Sequence, residues 1–357
     1  MAKITMKNTI LPTLFLAIVA LTIAWSAPSD PIIAAGMQPQ LSLDTKGAIR
    51  LAFGRNDSIF CSTSKNGGDS FSKPAFVGHI PGMHLGMTRG PQLASSVNFS
   101  LITAMDKSGN IHSFHLNHTS GMWQYKGFIN DIKFSAPEGL MDIAADRMDN
   151  FYAVWLDVRQ GKENNIGFSS LNIKENKWAK SQLIYISPEG NVCECCQPSI
   201  HVSGLKISIM FRNWINGSRD PYLIASTNGG KTFNNADKLG MGSWKLKGCP
   251  MDGGGITATL PDDLYAVWQR EGVIYYGRPN NKEVRLSKGR SCSIAANPSR
   301  KNIIVAFQEG DDVKIIDIKD KKETTIGKGT FLKTIVLPGG KVLCAWEQDN
   351  KIMFRKI

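Results

Sequence analysis

After residue 30, one pattern of apolar and polar positions returns along the chain. A short strand with every second position apolar leads into a turn built from Asp, Asn and Gly. A more continuous apolar strand follows and closes on an aromatic, and a third strand completes the unit. The units fall at 40–44, 49–53 and 58–62; at 101–105 and 111–116; at 141–145, 152–155 and 166–169; and at 199–202, 206–211 and 222–226. They continue at 256–260, 264–268 and 273–276; at 292–296, 303–307 and 313–318; and at 334–337, 342–346 and 352–357. The closing aromatic recurs as Phe53, Trp155, Phe211, Trp268, Phe307 and Trp346, a ring suited to packing between neighbouring units. Sustained helical periodicity is absent beyond the N-terminal apolar segment. A period of roughly 40 to 55 residues matches four-stranded propeller blades.

The last unit holds three strands. The lone apolar segment 31–36 precedes the first unit, so it is expected to supply the missing outer strand and close the ring. Closure leaves only short, protected sheet edges. The prediction is an all-β, seven-bladed β-propeller forming one domain over 27–357, closed by an N-terminal strand. Six blades is the alternative if one weak unit is an insertion.

The first residues read differently. Lys3 and Lys7 precede an apolar run over 10–24, and Ala24 and Ser26 are the small residues a signal peptidase reads. Residues 1–26 are therefore expected to be a signal peptide cut after Ser26, with the mature chain exported to a periplasm or an equivalent oxidising lumen. Pro12 and the shortness of the run argue against a membrane span, which needs about 20 apolar residues. The formal net charge is +12, but the lysines are scattered and no nucleic-acid motif accompanies them. Seven cysteines in an exported chain imply disulfides, and their odd number leaves at least one thiol free, metal-bound or shared with a partner.

Two segments carry the pattern Ser-x-Asn-x-Gly-x-Ser/Thr-aromatic. One contains Ser64, Asn66, Gly68 and Phe71; the other contains Ser226, Asn228, Gly230 and Phe233. Asn bonds to nearby backbone, Gly takes a positive φ, and the aromatic tucks beneath the turn. These segments resemble the Asp-box (BNR) repeats of sialidases and of many non-sialidase propellers. In that family the Asp box lies on the outer rim, so it implies fold and not chemistry. The resemblance further implies, for an exo-sialidase, three arginines gripping a carboxylate, a Tyr nucleophile with a Glu partner, and an Asp acid/base. The matching candidates are Arg89, Arg212, Arg219, Tyr275, Glu271 and Asp157, with Arg159 as a further arginine. The Arg-Ile-Pro of the family's first blade is missing here.

The most unusual segment is Cys193-Glu194-Cys195-Cys196-Gln197-Pro198, followed one unit later by Cys249-Pro250-Met251-Asp252 and three glycines. Both lie just ahead of a blade's first strand, near one mouth of the channel, at equivalent places in adjacent units. Disulfides among Cys193, Cys195, Cys196 and Cys249 would pin two blades together. The other reading is a thiolate metal site on Cys195, Cys196 and Cys249, holding copper with Met83, His84, Met87 or Met251 as soft partners. Cys193 and Cys196 have haem-attachment spacing, but Gln197 stands where His is required. His112, His115 and His118 are split between faces by strand alternation. Gly253, Gly254 and Gly255 precede a strand, so they do not cradle a phosphate at a helix N-terminus.

In architecture the whole mature chain resembles the propeller (beta) subunits of anammox hydrazine synthases. That resemblance implies a non-catalytic subunit docking partner proteins in an exported redox complex. Haem c would be carried by c-type cytochrome partners, no cofactor by this chain, and the location would be the anammoxosome. A sialidase-type glycosidase and a stand-alone metal- or glycan-binding propeller are the alternatives.

Overall fold

In the computed structural model, residues 1–2, 31–259, 263–297 and 302–357 are described. The predicted leader, beyond Met1 and Ala2, lies outside the described residues. The strands form seven antiparallel sheets, the blades of a β-propeller. The innermost strands of blades 1 to 7 are Met37–Leu43, Gln92–Ser95, Met141–Ala145, Ser199–Ser203, Gly255–Ala258, Arg290–Asn297 and Thr330–Val336. Each touches the next, and the last returns to the first. Among the described residues no helix is long and apolar enough to cross a membrane.

The second strands are the most buried, because both of their faces meet a neighbouring blade. Ile49–Arg55, Asn150–Asp157 and Asn302–Glu309 are buried almost throughout. Trp155, Trp268, Trp346, Phe53, Phe211 and Phe307 are among the largest side chains fully removed from water. This is the packing their recurrence predicts. Blade 2 is the exception and puts Met105 at the end of Phe99–Met105.

Ring closure follows the prediction. The strand Ile32–Ala35 pairs antiparallel with Lys351–Lys356, setting Ile32 against Met353 and Ala35 against Lys351. It is thereby the outer strand of the last blade. The second unit, read as two strands from sequence, is a full blade and not an insertion. Residues 101–105 and 111–116 belong to its second and third strands, with Gln92–Ser95 inside them and Trp123–Phe128 outside.

The two Asp-box-like segments form matching turns between third and outer strands. Ser64 Oγ donates to Asn66 Oδ1 and accepts from Gly68 N at 2.9 Å; Ser226, Asn228 and Gly230 repeat the arrangement. Their aromatics reach further than beneath the turn. Phe71 meets Phe354 of blade 7 edge-on at 5.0 Å, and Phe233 meets Phe168 of blade 3 at 5.1 Å. Each turn therefore staples its blade to the preceding one.

The channel differs at its two ends. Where the innermost strands finish, a cavity of about 680 Å³ opens among Asp44, Ser96, Asp146, Asn297 and Pro338. Where they start, Gln38, Gln197, Asp252, Cys292 and Lys333 narrow it to about 30 Å³.

Candidate functional site

The narrow end carries the sulfur-rich loops. The loop before blade 4 is stitched to the end of that blade's second strand: Val192 bridges Asn213, and Cys193 N donates to Arg212 O at 2.9 Å. A tight turn then closes with Cys196 N on Cys193 O. The turn brings three side chains to one point. The sulfurs of Cys193 and Cys196 are 2.8 Å apart, those of Cys193 and Cys195 3.7 Å, and those of Cys195 and Cys196 4.0 Å. Cys195 is joined to Cys249 in a disulfide with Cα atoms 6.3 Å apart, which links the lead-in loops of blades 4 and 5. Met251 packs against the group. All three clustered cysteines are buried, at 0%, 8% and 1% exposure for Cys193, Cys195 and Cys196.

Two arginines lie against these sulfurs. Arg219 donates to Cys193 Sγ at 3.2 Å and holds the Glu194 carboxylate in a fork at 2.9 and 3.2 Å, with Trp214 beneath its plane at 4.7 Å. Burial raises the Cys193 thiol, but the Cys196 hydrogen bond and the charges of Arg219 and Arg212 outweigh it and bring the group to about 7. Cys196 is pushed well above the usual thiol range by burial and by Cys193. Arg212 is 2% exposed, and its guanidinium is enclosed by carbonyl oxygens. Nε donates to Asp252 O at 3.2 Å, Nη1 to Arg219 O at 2.6 Å and Nη2 to Gln269 O at 2.9 Å. Asp252 in turn accepts Ser291 N at 2.6 Å, which ties blade 6 into the same unit. Across the channel mouth, burial lowers Lys333 while Asp142 and Asp252 oppose that fall.

The other predicted residues are placed elsewhere. Arg89 is held by Glu138, its Nη2 lying 3.6 Å from Oε2. Asp157 is fully buried and fixes Trp155 Nε1 at 2.7 Å and Arg159 through two contacts, a structural use of both side chains. Tyr275 lies under the Arg270 guanidinium at 4.2 Å, and Glu271 stands in a hairpin turn at φ 54°. Of the three proposed gripping arginines, Arg212 and Arg219 are adjacent, and all three carry protein acceptors. His84 does not join the sulfur group, because its Nε2 is bonded to Pro137 O at 2.9 Å. Met83 is buried between blades 1 and 2, and Met87 is exposed. The part Arg212 plays as a wedge is not legible in the sequence. Its three acceptors come from three separate segments, and no local motif signals that convergence.

By sequence, the chain matches no family model and no curated protein. Solved structures do resemble it. Hydrazine synthase of Kuenenia stuttgartiensis superposes with a TM-score of 0.59 at 10% identity, over 93% of this chain and 98% of that one. The BP39L lectin of Burkholderia pseudomallei gives 0.61 at 10% identity, over 88% and 96%. A polysaccharide lyase of the ulvan lyase family gives 0.57 at 8% identity, over 91% and 94%. A synthase, a lectin and a lyase share this shape, so what the likenesses establish is the β-propeller fold.

Proposed function

We propose that the chain is an exported, non-hydrolytic propeller that docks partner proteins in a redox assembly, with haem-bearing subunits as partners. The observation that carries the reading is an apolar stretch left in water on one blade. Tyr125, Phe128, Ile132 and Phe134 lie along the outer strand of blade 2 and the loop after it, 42% to 61% exposed. Large apolar side chains left exposed along one blade edge suit contact with another macromolecule. The arginines that a carboxylate-gripping hydrolase needs free are engaged internally, which weighs against hydrolysis. The disulfide suits an oxidising compartment. The hydrazine synthase likeness supplies a precedent for this fold in a redox enzyme.

Isolation from the native source tests the proposal. The chain is expected to co-elute with haem absorbance, and the Phe128→Asp, Phe134→Asp double variant is expected to elute alone. Elution of the native chain as a haem-free monomer would sink the reading, as would turnover of a fluorogenic sialoside.

A further inference from the structure

The sulfur cluster has a use that neither the fold nor docking requires. We propose that Cys193, Cys195 and Cys196 form a three-sulfur site for a thiophilic monovalent cation, Cu(I), and that Cys249 controls access to it. Among the described residues this is the one group of three potential metal-ligating side chains whose donor atoms converge within 4.8 Å of one another.

The argument begins with geometry. A metal–sulfur distance of about 2.3 Å places the sulfurs of a trigonal site about 4 Å apart. The Cys193–Cys195 and Cys195–Cys196 separations, 3.7 and 4.0 Å, already meet that spacing. The Cys193–Cys196 separation, 2.8 Å, is shorter and has to widen by about 1.2 Å for both sulfurs to bind one ion. The donor set is all sulfur, with Met251 packed against it, and soft ligands select Cu(I).

Charge and burial point the same way. Three thiolates around one Cu(I) leave a net charge of −2 in a pocket closed to water. Unpaired charge there is costly; Arg219, which also pairs with Glu194, and Arg212 lie beside the sulfurs and offset part of it. Arg219 touches Cys193 Sγ at 3.2 Å, and the Arg212 charge acts on both Cys193 and Cys196. A disulfide alone has no need of such a counter-charge.

Cys195 is bonded to Cys249, so the third ligand is masked. An external dithiol supplies two electrons and two protons, becomes a disulfide itself, and leaves Cys195 and Cys249 as thiols. Cu(I) then displaces three thiol protons from Cys193, Cys195 and Cys196, and Cys249 is left over. The bridge is thus a redox gate on metal loading.

The experiment uses the full exported chain and tetrakis(acetonitrile)copper(I) under anaerobic conditions, with bathocuproine disulfonate as competitor. Wild type is expected to bind one copper per chain after dithiol treatment and none before it. Cys249→Ser frees Cys195 permanently and is expected to bind one copper without reductant. Adding Cys193→Ser to that variant is expected to weaken binding by more than about 100-fold, beyond the loss of an outer-shell partner. Circular dichroism confirms that each variant is folded. A folded Cys249→Ser protein that takes up no copper overturns the proposal. So does a reduced wild type that holds Zn(II) through all four cysteines and loses it in Cys249→Ser. Docking of partners and copper loading are read separately, so either proposal can fail alone.

Discussion

Replacing Arg212 by Met separates a structural role for this arginine from a substrate-gripping one. Met keeps most of the aliphatic volume, so the change removes charge and donors more than packing. Three carbonyl oxygens, on Asp252, Arg219 and Gln269, then lose their partner in a site 2% exposed. A hydrogen bond from a charged donor contributes about 1.5 to 3 kcal/mol, and a buried acceptor left unpaired costs a similar amount. Taking the low end for each of the three bonds, the loss is about 4.5 kcal/mol, a large part of the ~5–15 kcal/mol that holds a folded protein together. With a urea slope of about 3 kcal/mol/M, the unfolding midpoint should fall by about 1 M or more. Arg212→Lys should recover little, since one ammonium does not reproduce a fork aimed at three acceptors. The assay is urea unfolding followed by tryptophan fluorescence. A Met variant whose midpoint stays within about 0.2 M of wild type would refute the wedge. Functional residues are commonly destabilising, so that result would return Arg212 to the ligand-binding candidates.

Two further outcomes are expected. Gly230 sits at φ 85°, and a Cβ there would lie 2.6 Å from the Phe168 ring, whereas one on Gly229 would meet only Leu205 at 3.5 Å. Gly229→Ala should therefore cost only the left-handed penalty of about 1–2 kcal/mol, and Gly230→Ala distinctly more; equal losses in thermal unfolding would show that the turn does not staple blade 4 to blade 3. His115 is buried with Nε2 on Ser113 Oγ at 2.8 Å, and burial, aided by the Lys126 charge, lowers it to about 4. Its folded pKa is below its unfolded value, so its contribution is complete above pH ~6.5 and is lost as pH falls through about 4; the maximum is on the order of 3 kcal/mol. Imidazole nitrogen NMR at pH 5 should find His115 neutral, and a protonated ring there would contradict the assignment.

What the sequence reveals of this fold follows burial. Second strands such as Asn150–Asp157 and Asn302–Glu309 are apolar on both faces and end on a large ring, so they stand out in any reading. Outer strands such as Val284–Lys288 and Glu323–Lys328 are half in water and carry charged residues, so the pattern there fades. Gln92–Ser95 is hard to see in the sequence because it is only 4 residues long, and its blade ends the second strand on Met105 instead of an aromatic. For the site, equivalent positions in adjacent units were enough to bring Cys249 beside the Cys193–Cys196 loop. The pairing of Cys249 with Cys195, and the capture of Glu194 by Arg219, depend on how two loops cross, which spacing along the chain does not encode.

The closing strand has a consequence for how the molecule is made. Synthesis from the N-terminus produces Ile32–Ala35 long before Lys351–Lys356, the strand it must pair with. Bringing such distant segments together costs about 5 kcal/mol of chain entropy, and contacts this remote in sequence slow folding. Until then the edge of the last blade has no neighbour and offers a template to any passing strand. The nascent chain therefore has a vulnerable interval that ends only when Lys351–Lys356 pairs with Ile32–Ala35. Chaperone dependence should track completion of that seventh blade more closely than the stability of the finished ring.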